Sequence, residues 1–150
     1  GCGARGCLEA FIGTRPILAE ARAAIRRHPR GALAQAAAGR ALTPELIARV
    51  AAADAQARAI WRRFGTHLGL GLSTAINLLN PERIVLGGGI ANAWRWFAPS
   101  MRAAIRSQAF AVPARAAQLV RAALGNESGI VGGAVLVWER RAGTGPLRRR

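Results

Sequence analysis

One stretch constrains the fold more than any other. Ile84-Val85-Leu86, a β-branched apolar run, leads directly into Gly87-Gly88-Gly89. Helical apolar periodicity precedes it and follows it. The run reads as a buried strand, and a strand that passes through bare glycine into a helix is a unit of α/β architecture. Before it, Thr43-Pro44-Glu45 marks a helix start, with a Thr cap, a proline at the first helical position and an acid in the first turn. From there Leu46, Val50, Ala53, Ala57, Ile60, Phe64 and Leu68 recur every three or four residues, and the stripe runs on to Leu79. Two helices with a break near Asp54 account for it. Asn80-Pro81 ends the second.

The rest of the chain fills in around that core. Residues 7 to 12 read as a short helix ended near Gly13, and a second helix fits Pro16 to about Arg27, closed by His28-Pro29-Arg30-Gly31. After the glycines, Phe97, Met101, Ala104 and Ile105 share a face of a helix from Trp94 to Ser107. Gln118 to Ala122 is a second candidate strand. Asn126 caps a last helix of about Glu127 to Glu139, with Gly132-Gly133-Ala134 as a small-residue face. Two strands do not make a complete sheet, so partner strands are expected in sequence upstream of Gly1. Gly65, Gly69 and Gly71 lie inside the long helix, where each costs about 1 kcal/mol relative to Ala. Close approach of another backbone is the expected reason.

Composition excludes some classes of function. With 51% hydrophobic residues in 150, the chain is long and apolar enough for one core. Its longest apolar runs, Ile84 to Leu86 and Gly129 to Trp138, fall far below the roughly 20 residues that span a bilayer. The net charge is +15, and all 22 basic residues are Arg. One reading is a surface for nucleic acid or an anionic membrane. The other is arginine accumulated through GC-rich coding and spread over solvated helix faces. The scatter along the chain favours the second, and the one local block is Arg148-Arg149-Arg150.

Few residues can carry chemistry. The only Asp, Asp54, sits at the helix break and reads as a cap; Glu82 and Glu127 lie near element ends. His28 and His67 read as surface or packed residues. No Ser-His-Asp order and no H-E-x-x-H is present. The glycine run lacks the spacing of a phosphate loop or a dinucleotide fingerprint, so alone it is either a ligand loop or a tight turn. Both cysteines, Cys2 and Cys7, flank Gly3 and Gly6 in the opening C-G-x-x-G-C-L-E, with Glu9 two residues further on. Spaced five residues apart, the cysteines could close one small disulfide loop or form half of a metal site. The glycines, which let two sulfurs face one point, favour the metal, but a structural zinc takes four ligands. A carboxylate placed like Glu9, beside a metal-pinned Cys, can accept hydrogen bonds from ligand hydroxyls. No initiator Met precedes the motif, so the start reads as a cut.

Taken together, these residues resemble the ROK proteins (repressor, open reading frame, kinase). The opening Cys2 to Glu9 is similar to the end of that family's zinc motif. Ile76 to Ile90, through Asn80-Pro81-Glu82-Arg83 and the three glycines, is similar to its later signature. Leu124-Gly125-Asn126 with Gly129-Ile130-Val131-Gly132-Gly133-Ala134 is similar to its last helix. The resemblance implies an incomplete C-terminal lobe of an actin-like, ribonuclease-H-like ATPase fold over residues 1–141. Residues 142–150, with Gly143, Gly145 and Pro146, read as a disordered basic tail. It implies an ATP-dependent sugar kinase of hexose or N-acetylhexosamine, glucokinase-like, working with ATP and Mg2+. The alternative is the sugar-sensing effector domain of a repressor, with DNA bound elsewhere. By the same resemblance Cys2 and Cys7 are zinc ligands, Glu9 contacts the sugar, and Gly87, Gly88 and Gly89 face the nucleotide. The first zinc cysteine, the zinc histidine, the phosphate loop and the general-base aspartate all fall outside the chain. The expected parent is a cytoplasmic homodimer with an N-terminal lobe, and this chain alone is expected to be inactive.

Overall fold

The computed structural model describes residues 6–142. Helices dominate: α1 (Glu9–Ile12), α2 (Thr14–Arg27), α3 (Ala32–Ala37), α4 (Pro44–Val50) and α5 (Ala55–Leu79) precede the first strand, β1 (Arg83–Leu86). A 3₁₀ turn over Gly89–Ala93 leads into α6 (Trp94–Gln108). Then follow α7 (Ala111–Ala116), β2 (Gln118–Arg121), a 3₁₀ turn over Gly125–Glu127, and α8 (Ser128–Ala142).

The long helix α5 is the spine. Its 25 residues make a rod of about 37 Å. Asp54 caps its start, its Oδ1 accepting from the N–H groups of Gln56 at 2.8 Å and Ala57 at 2.9 Å. Asn80 closes it in the left-handed region (φ 43°), donating its N–H to the Ile76 carbonyl. Asparagine tolerates that conformation, and Pro81 forbids continuation. The break near Asp54 and the stop at Asn80 therefore fall where the sequence places them.

The core forms where α5 meets α6, α2 and α4. Ile47, Ile60, Trp61, Ile76, Phe97 and Met101 are its largest fully buried side chains. Phe64 meets Phe97 edge-on at 5.0 Å, and Trp61 meets Phe64 at 5.5 Å, spacings at which aromatic rings attract beyond simple burial. Gly65 and Gly69 explain why α5 and α6 lie so close. A Cβ at Gly65 would collide with the Phe97 carbonyl and the Ser100 hydroxyl. At Gly69 it would sit 2.5 Å from the Met101 carbonyl and 2.7 Å from the Ala104 Cβ. Gly71 differs from expectation: it faces the Leu8 side chain of the opening turn, not a backbone.

β1 and β2 pair in parallel, with Arg83 opposite Gln118 and Leu86 opposite Arg121. Parallel neighbours need a crossover, and α6 with α7 supplies it. The expectation of a fully buried β1 is corrected. Ile84 and Leu86 pack against the core, but Val85 is 58% exposed. Among the described residues the sheet has two strands, and opposite the exposed Val85 on its second face Val120 is half-buried. The two short helices α3 and α7, six residues each, were not expected, because less than two turns carries little periodicity. α8 is exposed along its length, with Ile130, Leu136 and Trp138 at 75%, 59% and 76%. A Cβ at Gly132 or Gly133 would meet nothing within 4 Å, so the small-residue face packs on no described residue. Residues 1–5 and 143–150 lie outside the described residues, and with them Cys2 and all of the expected tail but Ala142, which is the last residue of α8.

Candidate functional site

The glycine run after β1 forms one wall of a cleft. Gly88 adopts φ 77° and ψ 176°, a region essentially reserved for glycine. Its carbonyl accepts from the Ala91 N–H at 3.1 Å, which starts the 3₁₀ turn. Gly87 would tolerate a Cβ, which would meet only Ala122 at 3.4 Å, and at Gly88 the space beyond the backbone is open. The wall is therefore bare main chain. Opposite it lies the start of α4, Thr43, Pro44 and Glu45, and Thr14 and Leu18 of α2 contribute a third side. The cleft holds about 540 Å3, within the range of small-ligand sites. Thr43 spends its Oγ1 on the helix, accepting from the Leu46 N–H at 3.2 Å. Glu45 is exposed.

These facing residues were missed as site residues. Thr43-Pro44-Glu45 was legible as a helix start, but nothing local indicates that this start faces a loop more than 40 positions later.

Glu9 opens α1 and is exposed. The turn before it is set by Gly6 at φ 77° and by the Ala10 N–H donating to the Cys7 carbonyl at 2.9 Å. Gly13 ends α1 and donates to the Glu9 carbonyl at 2.8 Å. Any Cβ at Gly13 would lie 2.7 Å from that oxygen. The small helix is pinned to α5 by Phe11, whose ring lies 5.0 Å from that of His67. His67 is thus a packing residue, and His28 is exposed. Glu9 does not line the cleft of the glycine loop, whereas Thr14, five residues on, does.

Cys7 is half-buried beside this turn, and Cys2 lies outside the described residues. Among the described residues no group of three or more His, Cys, Asp or Glu side chains converges. The described part does not by itself make a zinc site, and no chemical step is routed through one.

Asp54 is the most constrained acid, and its role is structural. Beyond its two cap contacts, its Oδ2 accepts from the Leu33 N–H at 2.8 Å, tying α3 to α5. Burial alone raises this carboxyl. The N–H groups of Ala57, Leu33 and Gln56, with Arg58 nearby, outweigh burial and hold it below its ordinary value of 3.8. No helix among the described residues is long and apolar enough to cross a membrane.

The chain is similar to proteins of two kinds. It is 30% identical over 138 residues to a glucokinase of Halalkalibacterium halodurans, covering 91% of this chain and 42% of that protein. It is 31% identical over 134 residues to NagC of Escherichia coli K12, a DNA-binding transcriptional dual regulator, covering 86% of this chain and 31% of the regulator. Its fold superposes on a ROK family glucokinase from Streptomyces griseus solved with glucose and AMPPNP. The TM-score is 0.76 at 24% identity, covering 90% of this chain and 45% of that one. The chain thus spans less than half the length of each. The fold is part of the C-terminal lobe of an actin-like ATPase. Residues 1–140 match the ROK family pattern, and the chain belongs to the ROK family.

Proposed function

We propose that the chain is the C-terminal lobe of an ATP-dependent sugar kinase acting on a hexose or N-acetylhexosamine. The observation that carries this reading is the bare wall of Gly87, Gly88 and Gly89, with Gly88 held at φ 77° on an open cleft. A nucleotide can approach main chain that presents no side chain. The similarity to a glucokinase supports the same reading. Phosphoryl transfer needs positioning and charge stabilisation between two lobes more than covalent chemistry. In this assignment the glycine loop faces the nucleotide, and Glu9 accepts hydrogen bonds from sugar hydroxyls. Cys2 and Cys7 supply two of four zinc thiolate or imidazole ligands. Mg2+ would accompany ATP and supply charge neutralisation on its phosphates. The parent is proposed as a cytoplasmic homodimer, with residues 143–150, beyond the end of α8, a basic tail outside the lobe.

The second reading is the sugar-sensing effector domain of a repressor, favoured by the similarity to NagC. There Glu9 keeps its sugar contact, DNA is bound elsewhere, and the cleft need not take a nucleotide. Calorimetric titration of the 150-residue chain with AMPPNP separates the two. The kinase reading expects binding that is weakened at least tenfold by Gly88→Val. A chain that binds glucose or N-acetylglucosamine, loses that binding in Glu9→Gln, and ignores AMPPNP supports the repressor. The chain alone is expected to turn over no ATP with glucose, and measured turnover overturns that expectation.

A further inference from the structure

A second concavity lies between α6, α7 and the first residues of β2. It holds about 430 Å3 and shares no residue with the glycine-loop cleft. Its floor is apolar, formed by Ile105, Ala114 and Leu119. Its rim carries three guanidinium groups, those of Arg102, Arg106 and Arg115, and no acid lines it. Arg102 and Arg106 stand one turn apart on the same face of α6, so both reach one ligand. The Arg102 guanidinium lies 5.6 Å from the centre of the Trp94 ring. Among the described residues, the single ion pair joins Arg63 to Glu20, away from this groove. All three arginines are exposed, so solvent screens their mutual repulsion, and an anion seated in the hollow is attracted by all three at once. A guanidinium fork matches anion oxygens in pairs. A phosphate monoester, with three terminal oxygens and close to two negative charges near neutral pH, answers three arginines better than a carboxylate with two oxygens and one charge.

We propose that this groove binds a small soluble amphiphilic anion, a phosphate monoester with an apolar body. The arginines hold the phosphate and the Ile105, Ala114 and Leu119 floor takes the hydrocarbon. A bare sugar phosphate lacks the apolar part, so the groove is not a second copy of the proposed sugar site.

Hexyl phosphate is a suitable probe, titrated calorimetrically into the 150-residue chain at about 0.15 M salt, where exposed charges are screened beyond roughly 8 Å. The expected result is one site, at least tenfold tighter for hexyl phosphate than for inorganic phosphate or hexanol. Binding should shift Trp94 emission, a shift lost in Trp94→Phe. The double variant Arg106→Gln, Arg115→Gln changes two exposed side chains and should weaken binding at least tenfold at an unchanged melting temperature. The proposal is overturned if inorganic phosphate matches hexyl phosphate, which would mark non-specific anion attraction. It is equally overturned if hexanol matches it or if the double variant binds as well as the parent. Binding to phosphatidic acid vesicles without binding to soluble hexyl phosphate would assign the groove to a membrane surface and overturn the soluble-ligand assignment.

Discussion

Asp54 is the residue on which most of the local order converges. One carboxylate accepts three backbone N–H groups, two at the start of α5 and one at the start of α3. Removing it leaves buried donors unpaired, a cost of about 1–3 kcal/mol. Asp54→Ala should lower stability by that amount in chemical denaturation. The pH dependence follows from the direction of its shift. A carboxyl held below 3.8 in the folded chain contributes stability that is complete above the unfolded value. That contribution is lost as pH falls through the lower folded value. The stability gap between the parent chain and Asp54→Ala should therefore be full near neutrality and shrink below about pH 4; a gap that widens on acidification contradicts the assignment. Gly88 is the second special residue. At φ 77° and ψ 176° any side chain costs about 1–3 kcal/mol of backbone strain. Gly88→Ala should lose that much stability, whereas Gly87→Ala, with ordinary backbone and a 3.4 Å contact, should lose less.

Between elements, the crossing of α5 on α6 decides the core. Gly69 lies against the Met101 carbonyl and the Ala104 Cβ, and neither is a flexible side-chain end. Gly69→Ala gains about 1 kcal/mol of helix propensity, yet it forces the two helices apart over Phe97 and Met101. Overpacking of this kind costs about 1–3 kcal/mol, so net destabilisation is expected in a thermal melt. Gly71→Ala is the contrasting case, because the Leu8 side chain opposite can move. It should be close to neutral or stabilising. The glycines of the long helix were legible as close-approach positions, but their different neighbours were not. Sequence spacing puts Gly65, Gly69 and Gly71 on a helix; it does not say that two meet main chain and the third a leucine tip.

At the scale of the whole molecule, the described surface is unusually apolar. Leu78, Leu79, Val112 and Trp138 are each at least 70% exposed, and Val85 looks out from one face of the two-stranded sheet. Apolar area of that extent marks surface that other protein covers. The 150-residue chain on its own should therefore self-associate with rising concentration in sedimentation or light scattering, despite its charge of +15. A monodisperse monomer at about 100 μM, inside the μM-to-mM range in which exposed apolar surface drives association, contradicts this.

The sequence by itself determined the order of the principal elements. It also determined the helix break at Asp54 and the stop at Asn80-Pro81, because capping, proline and periodicity are local and leave a mark within a few residues. It carried the family in the motifs Cys2 to Glu9, Ile76 to Ile90 and Leu124 to Ala134 that resemble the ROK proteins. It marked Glu9 and the glycine run as positions of interest. Tertiary structure decided that the start of α4 and the N-terminal part of α2 wall in the glycine loop, that Glu9 stays off that wall, and that Val85 is exposed. It also decided that three arginines from α6 and α7 ring an apolar hollow. Each of these depends on which distant elements pack together. That is set by the summed burial of Trp61, Phe97, Met101 and their neighbours, a non-directional force that no short stretch of sequence displays.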